Sequence, residues 1–206
     1  MALISNGTTV FNAGAMASGF GGSMTFIKKL TASSGTATLS FVNGSSGVVL
    51  DNTYKEYVFI CKNMEPSNTG GPDFLFNMST DTGSNYNVTK TTTQFNARHS
   101  EDDGTATLSY IANNDHAQGT GFQIIADGVG GAGDECADGI IHLYNPSSTT
   151  FVKHFTANFI NYRVNDNAYH VFTAGYANTT SAVDAVQFKF GANDIDAGTI
   201  CLYGIA

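Results

Sequence analysis

Residues two apart along this chain repeatedly match in hydrophobicity, and a period of two marks strands with one buried face. In residues 36–42, Ala37, Leu39 and Phe41 alternate with Thr36, Thr38 and Ser40. Phe74, Phe76 and Met78 repeat the pattern, and so do Val186, Phe188 and Phe190. Comparable runs predict strands at about 24–31, 47–51, 55–63, 86–97, 105–111, 139–145, 150–162, 169–175 and 198–205. Only 11–19 and 178–185 leave room for a helical turn. Strands this dense, with no helices between them, rule out a βαβ plan. They predict an all-β fold: an antiparallel, jelly-roll-like β-sandwich of roughly ten to twelve strands.

Turn residues punctuate the same map. Ser33, Ser34 and Gly35 separate two strands closely enough for a hairpin, and Asn43-Gly44 followed by Ser45, Ser46 and Gly47 marks another reversal. The acidic run Glu101, Asp102, Asp103, Gly104 reads as a hairpin turn. Two longer breaks fall at 65–72 and 113–139; a loop of the second length is usually functional or ordered by a neighbour. The C-terminal run 198–206 is an apolar strand whose last residues pack inside.

Composition narrows the picture. At 206 residues and 42% hydrophobic, with 15 Phe and 9 Tyr, the chain has enough apolar surface for one sizeable core, and no linker or repeat divides it. Residues 23–206 read as a single sandwich domain, preceded by an N-terminal docking arm at 1–22, where small and apolar residues alternate with few charges. Charged residues are only 13%, so the exterior is largely Ser, Thr, Asn and Gly, a surface that sheds little charge hydration when a neighbour covers it. The net charge of −8 and the absence of any Lys/Arg cluster argue against nucleic acid and anionic membranes as partners. No run approaches the apolar length of a membrane span. Three cysteines without a CxxC spacing fit buried thiols, at Cys61 and Cys201 above all, in a protein made in a reducing cytoplasm.

Chemistry is sparse. The G-x-S-x-G elbow of serine hydrolases is missing, because residues 44–47 have the wrong spacing. The histidines (His99, His116, His142, His154 and His170) are dispersed, with no H-x-H or H-E-x-x-H pairing. His142 and Tyr144 share one strand face, and Lys153 and Phe155 share another. The best candidate site is the acidic, glycine-rich stretch 127–139: Asp127, Asp134, Glu135 and Asp138 are the oxygen donors that calcium prefers, and GGAGD at 130–134 is similar to half of a GGxGxD calcium repeat, with its Asp one position early. Eight acids and no Lys or Arg lie between His99 and Lys153, so the acidity is local. Trp is absent and most Phe and Tyr fall in core-like runs, which weighs against a sugar-cleaving enzyme.

The succession VLDNTYKEYVFI at 49–60, NMEPSN at 63–68, DFLF at 73–76 and STDTGS at 79–84, followed by GIIHLYNPSSTTF at 139–151 and IDAGTICLYGI at 195–205, resembles modules that recur in virion proteins of tailed bacteriophages, marine phages among them. The resemblance implies a non-enzymatic structural protein of a phage particle, tail-fibre-like or capsid-decorating, assembled in the host cytoplasm. By analogy with phage surface proteins it implies a homotrimer in contact with other virion proteins. It brings no catalytic motif and no cofactor. Two other readings stand beside it: a module that grips host surface glycans through the 113–139 loop, with calcium at its tip, and a depolymerase acting on those glycans.

Overall fold

An alternating strand becomes a sheet only where neighbours complete its hydrogen bonds and a second layer covers its apolar face. The computed structural model, which describes residues 2–12, 15–16 and 23–206, has fifteen strands among them, and the twelve from residue 24 onward meet both conditions. These are β1 (Ala2–Ser5), β2 (Thr8–Asn12), β3 (Ala15–Met16), β4 (Met24–Thr31), β5 (Leu39–Val42), β6 (Glu56–Pro66), β7 (Phe74–Ser79) and β8 (Lys90–Ser100). They are followed by β9 (Ala106–Tyr110), β10 (Gln123–Ala126), β11 (Ala137–Tyr144), β12 (Lys153–Arg163), β13 (Asn167–Ala177), β14 (Ala185–Phe190) and β15 (Ile195–Ile205).

One sheet has eight strands in the order β4-β15-β6-β11-β12-β13-β8-β9, and the other has four, β10-β7-β14-β5. The first four strands of the large sheet match the small sheet read in reverse, each beside its neighbour in chain order. β4, β6, β11 and β15 sit together in the large sheet, while β5, β7, β10 and β14 make up the small one, so the chain crosses between layers at β4–β5, β5–β6, β6–β7, β7–β8, β9–β10, β10–β11, β13–β14 and β14–β15. This connectivity is a jelly roll. Two hairpins, β8–β9 and β12–β13, are inserted into it and pair with each other through β13 and β8, widening the large sheet.

The core lies between the layers. Phe41, Phe59, Phe74, Phe76, Phe155, Phe159 and Phe188 are all buried there, with Phe74 and Phe76 two apart on β7 and Phe155 and Phe159 four apart on β12, as the pattern requires. Phe188 on β14 is the hub: its ring packs against Phe41, Phe59, Phe74 and Phe76 at centroid distances of 6.3, 5.5, 6.0 and 6.4 Å. β15 runs between β4 and β6, burying Ile200 and Leu202, so the C-terminal run is an internal strand, although its last two residues are not packed inside as expected: Ile205 is half-buried and Ala206 exposed.

Several local expectations need correction. The Ser33–Gly35 turn does not close a hairpin: β4 pairs with β15 and β5 with β14, and the turn carries the chain from one layer to the other. Residues 47–51 form no strand; Val48 and Leu50 alternate because they plug the core from a loop, with Asn43 Oδ1 accepting the Leu50 N–H at 2.9 Å. Residues 178–185 hold no helix. Within 113–139 the chain is not a continuous break, because it contains β10 and follows a 3-10 turn at Ala112–Asn114. Residues 101–104 do make the β8–β9 hairpin turn, with Asp103 in the left-handed region and Asp102 Oδ1 accepting from Ser100 Oγ and Gly104 N–H. Of the segment expected to be a docking arm, residues 2–12 and 15–16 form the separate three-stranded sheet β1-β2-β3; the remainder, and much of the helical turn expected at 11–19, lie outside the described residues. Among the described residues no helix is long and apolar enough to cross a membrane.

The inserted hairpins change the character of the interior. β8 turns Lys90, Thr92, Gln94 and Asn96 inward, and all are buried. These groups need acceptors, and residues 111–124 bring backbone to meet them: Gln94 Nε2 donates to Ile124 O at 2.7 Å, and Lys90 Nζ donates to Gly121 O at 2.6 Å. Burial pushes the Lys90 ammonium down to about 8. Between that value and about pH 10.4 the unfolded chain still holds the proton that the native state has released, so raising the pH across this window favours folding. Lys90→Met lacks this dependence. Urea denaturation at pH 7 should find the variant at least as stable as the wild type, and the wild type should gain on it steadily as the pH climbs to 10.

Candidate binding trough

The outer face of the large sheet should be polar if only the inner face packed. It is not. In β6, β11 and β12, apolar residues occupy both phases of the alternation, as in Val58-Phe59-Ile60, Ile140-Ile141 and Phe159-Ile160, so each strand shows a hydrophobe outward as well as inward. Strand pairing then aligns the outward residues. Ile60 stands opposite Ile140, Ile140 opposite Asn158, Asn158 opposite Phe172, Phe172 opposite Phe95, and Phe95 opposite Tyr110, forming one row across six strands. A neighbouring row runs His142, Thr156, Ala174, Thr93.

The first row as far as Phe95, together with the second, lines an open trough of about 890 Å³. Phe95 and Phe172 stack across their strands with centroids 4.9 Å apart and planes within 11°. His170 packs on Phe172 at 4.2 Å and shares a 2.5 Å hydrogen bond between its Nε2 and Asn158 Oδ1. At one rim Glu56 Oε1 meets His142 Nδ1 at 2.5 Å, and the imidazole stacks on Tyr144 as their shared face predicts. Thr156 faces His142 in the register, but no hydrogen bond joins the two. At the other end Asn63 takes the left-handed conformation and breaks the β6–β11 register, which leaves Lys62 and Asn63 both exposed, with the Asn63 N–H donating to Asp138 Oδ1 at 2.8 Å. Gly139 forms part of the floor, where a Cβ would run into the Phe159 ring and the Asn158 carbonyl.

The four acids of the expected calcium stretch are scattered into separate tasks. Asp127, just after β10, accepts from Arg163 Nε and Nη2 at 3.0 and 2.9 Å. Glu135 Oε2 accepts the Ala132 N–H at 2.8 Å, closing its own turn. Asp138 faces Asn63 across the strands, and Asp134 is exposed. Among the described residues no three His, Cys, Asp or Glu side chains are grouped to hold a metal ion. No protein-family model, no curated protein and no solved structure matches the chain.

One cysteine differs from expectation. Cys201 points outward from β15, half-buried opposite Ile60; only Cys61 is a core thiol, and burial raises it well above the usual range. Cys136 is also half-buried, pushed up to about 11 by burial and then by Asp138. Phe95 and Tyr110, in the strands expected at 86–97 and 105–111, are 44% and 63% exposed. The signal for the trough was in the sequence all the same: a strand with hydrophobes in both phases has two apolar faces, and a two-layer fold can cover only one of them.

Proposed function

We propose that this chain is a non-enzymatic surface module of a tailed-bacteriophage particle, a capsid-decorating or tail and fibre component that acts through protein–protein contacts and is assembled in the host cytoplasm. The observation that carries the reading is the free edge at β9. This strand ends the large sheet, bonded on one side only among the described residues, and its sequence Ala-Thr-Leu-Ser-Tyr has no Lys, Pro or other guard. Leu108 is 74% exposed on it. Bare edges of this kind template pairing with another chain, and monomeric proteins commonly block them. A covering neighbour in an assembly serves the same purpose. The segment order over 49–205 and the low surface charge support the same assignment.

The expected state is a homotrimer. Leu108→Lys sets an unpaired charge into the proposed contact and should weaken self-association about 100-fold or more. Light scattering across a dilution series would then give a monomer for the variant at concentrations where the wild type is trimeric. A wild-type chain that stays monomeric at high concentration, and is absent from purified particles by mass spectrometry, would remove the reading.

A further inference from the structure

We propose that the outer trough of the large sheet binds an uncharged oligosaccharide segment carrying methyl-bearing sugars, of the 6-deoxy or N-acetyl kind. The trough is lined by no residue of β9, so the proposal stands whether or not the chain assembles through that edge.

Size speaks first. About 890 Å³ falls within the range of sites that enclose a small ligand, roughly 300–1,000 Å³. Shape argues against a second copy docked face to face, because two hollows brought together leave a void where close packing is needed. A peptide strand is disfavoured too. The trough lies mid-sheet, where every strand is bonded on both sides, so no free backbone remains for strand addition.

Charge selects among what is left. The charged groups stand at the two ends, Glu56 with His142 at one and Lys62 with Asp138 at the other, while the stretch between them, from Ile60 and Ile140 through Asn158 and Thr156 to Phe172 and Phe95, carries no charge. The occupant that complements such a surface is neutral. Its chemistry must also be double-sided. Ile60, Ile140, Ile160 and the Phe172 ring offer apolar contact, while the Asn158 amide and Thr156 hydroxyl stand among them as hydrogen-bonding groups. Sugar rings present C–H and methyl patches on one side and hydroxyls at their edges, and so match both. The missing Trp and the core-like aromatic runs weighed against a sugar ligand, but sheet pairing brings Phe172 and Phe95 to the outer face.

The test uses the full chain against a panel of chitotetraose, a rhamnose oligomer, a fucosylated trisaccharide and, as the charged control, heparin, read first by array and then by titration calorimetry. Binding of at least one neutral member is expected, weakened tenfold or more by Phe172→Ala and by Asn158→Ala, and unchanged in Leu108→Lys. Thermal melts confirm that each variant is folded, and the two trough variants are independent, so loss of one fold leaves the other to decide. Three results overturn the proposal: no neutral member binding, heparin alone binding, or affinity unaltered in both trough variants. Ile140→Asp converting an oligomer to monomers also overturns it, since the trough would then be a contact between copies.

Discussion

Phe188→Ala should cost about 3–5 kcal/mol of folding stability, the range for truncating a fully buried phenylalanine. The expectation is at the upper end because Phe188 touches four other rings, drawn from β5, β6 and β7, and the space it leaves is walled by rigid aromatics on two sheets. Rings held in opposite layers relax poorly into a gap, so both the transfer and the cavity contributions are felt. A domain stable by 5–15 kcal/mol loses much of its margin this way. Chemical denaturation would show the midpoint moving sharply with the slope unchanged. Phe188→Leu, which fills most of the volume, should recover more than half. A loss under 1 kcal/mol would mean that the two layers are not packed through this residue.

Arg163→Met is the second large effect, at about 2–4 kcal/mol, after reduction for partial exposure. Arg163 and Asp127 are 25% and 21% exposed, and removing one member of such a pair strands the other charge. Asp127 would then sit beside Asp73, whose carboxyl burial already raises above the usual range, with Asp127 adding to the rise and Arg163 opposing it. Without the guanidinium the native state holds protons that the unfolded chain has given up, so its stability falls as the pH rises through the carboxylate range. The deficit of the variant should therefore shrink on acidification, and Asp127→Asn in the same chain should restore part of the loss at neutral pH. Urea curves for the single and double variants at two pH values check both statements. The substitution also removes the stacking of Arg163 over Tyr169, at 5.2 Å.

The strands that could be read directly are those with a single buried face and strict alternation. β7 and β14 follow Phe74, Phe76, Met78 and Val186, Phe188, Phe190 because each inward position had to be apolar and each outward one did not. Residues 47–51 have the same alternation for a different reason, two loop side chains dropping into the core, and sequence cannot separate the two cases. β10 was missed because a four-residue edge strand, Gln-Ile-Ile-Ala, has no alternation to show. In the Asp127–Asp138 stretch, closeness along the chain says little about where the carboxylates point: one caps a turn, one pairs with Arg163 and one faces Asn63.

The order of hydrophobic and polar residues by itself determined that this chain is all-β and two-layered, since period-two burial needs only local geometry. It also marked the surface as nearly free of charge clusters. Which strands became neighbours was decided in three dimensions, because pairing joins residues far apart in the chain: Ile60 meets Ile140, Phe95 meets Phe172, and β9 is left with an open side. The trough and the free edge exist only through those pairings, and so the two surfaces on which the proposed functions depend belong to the tertiary structure.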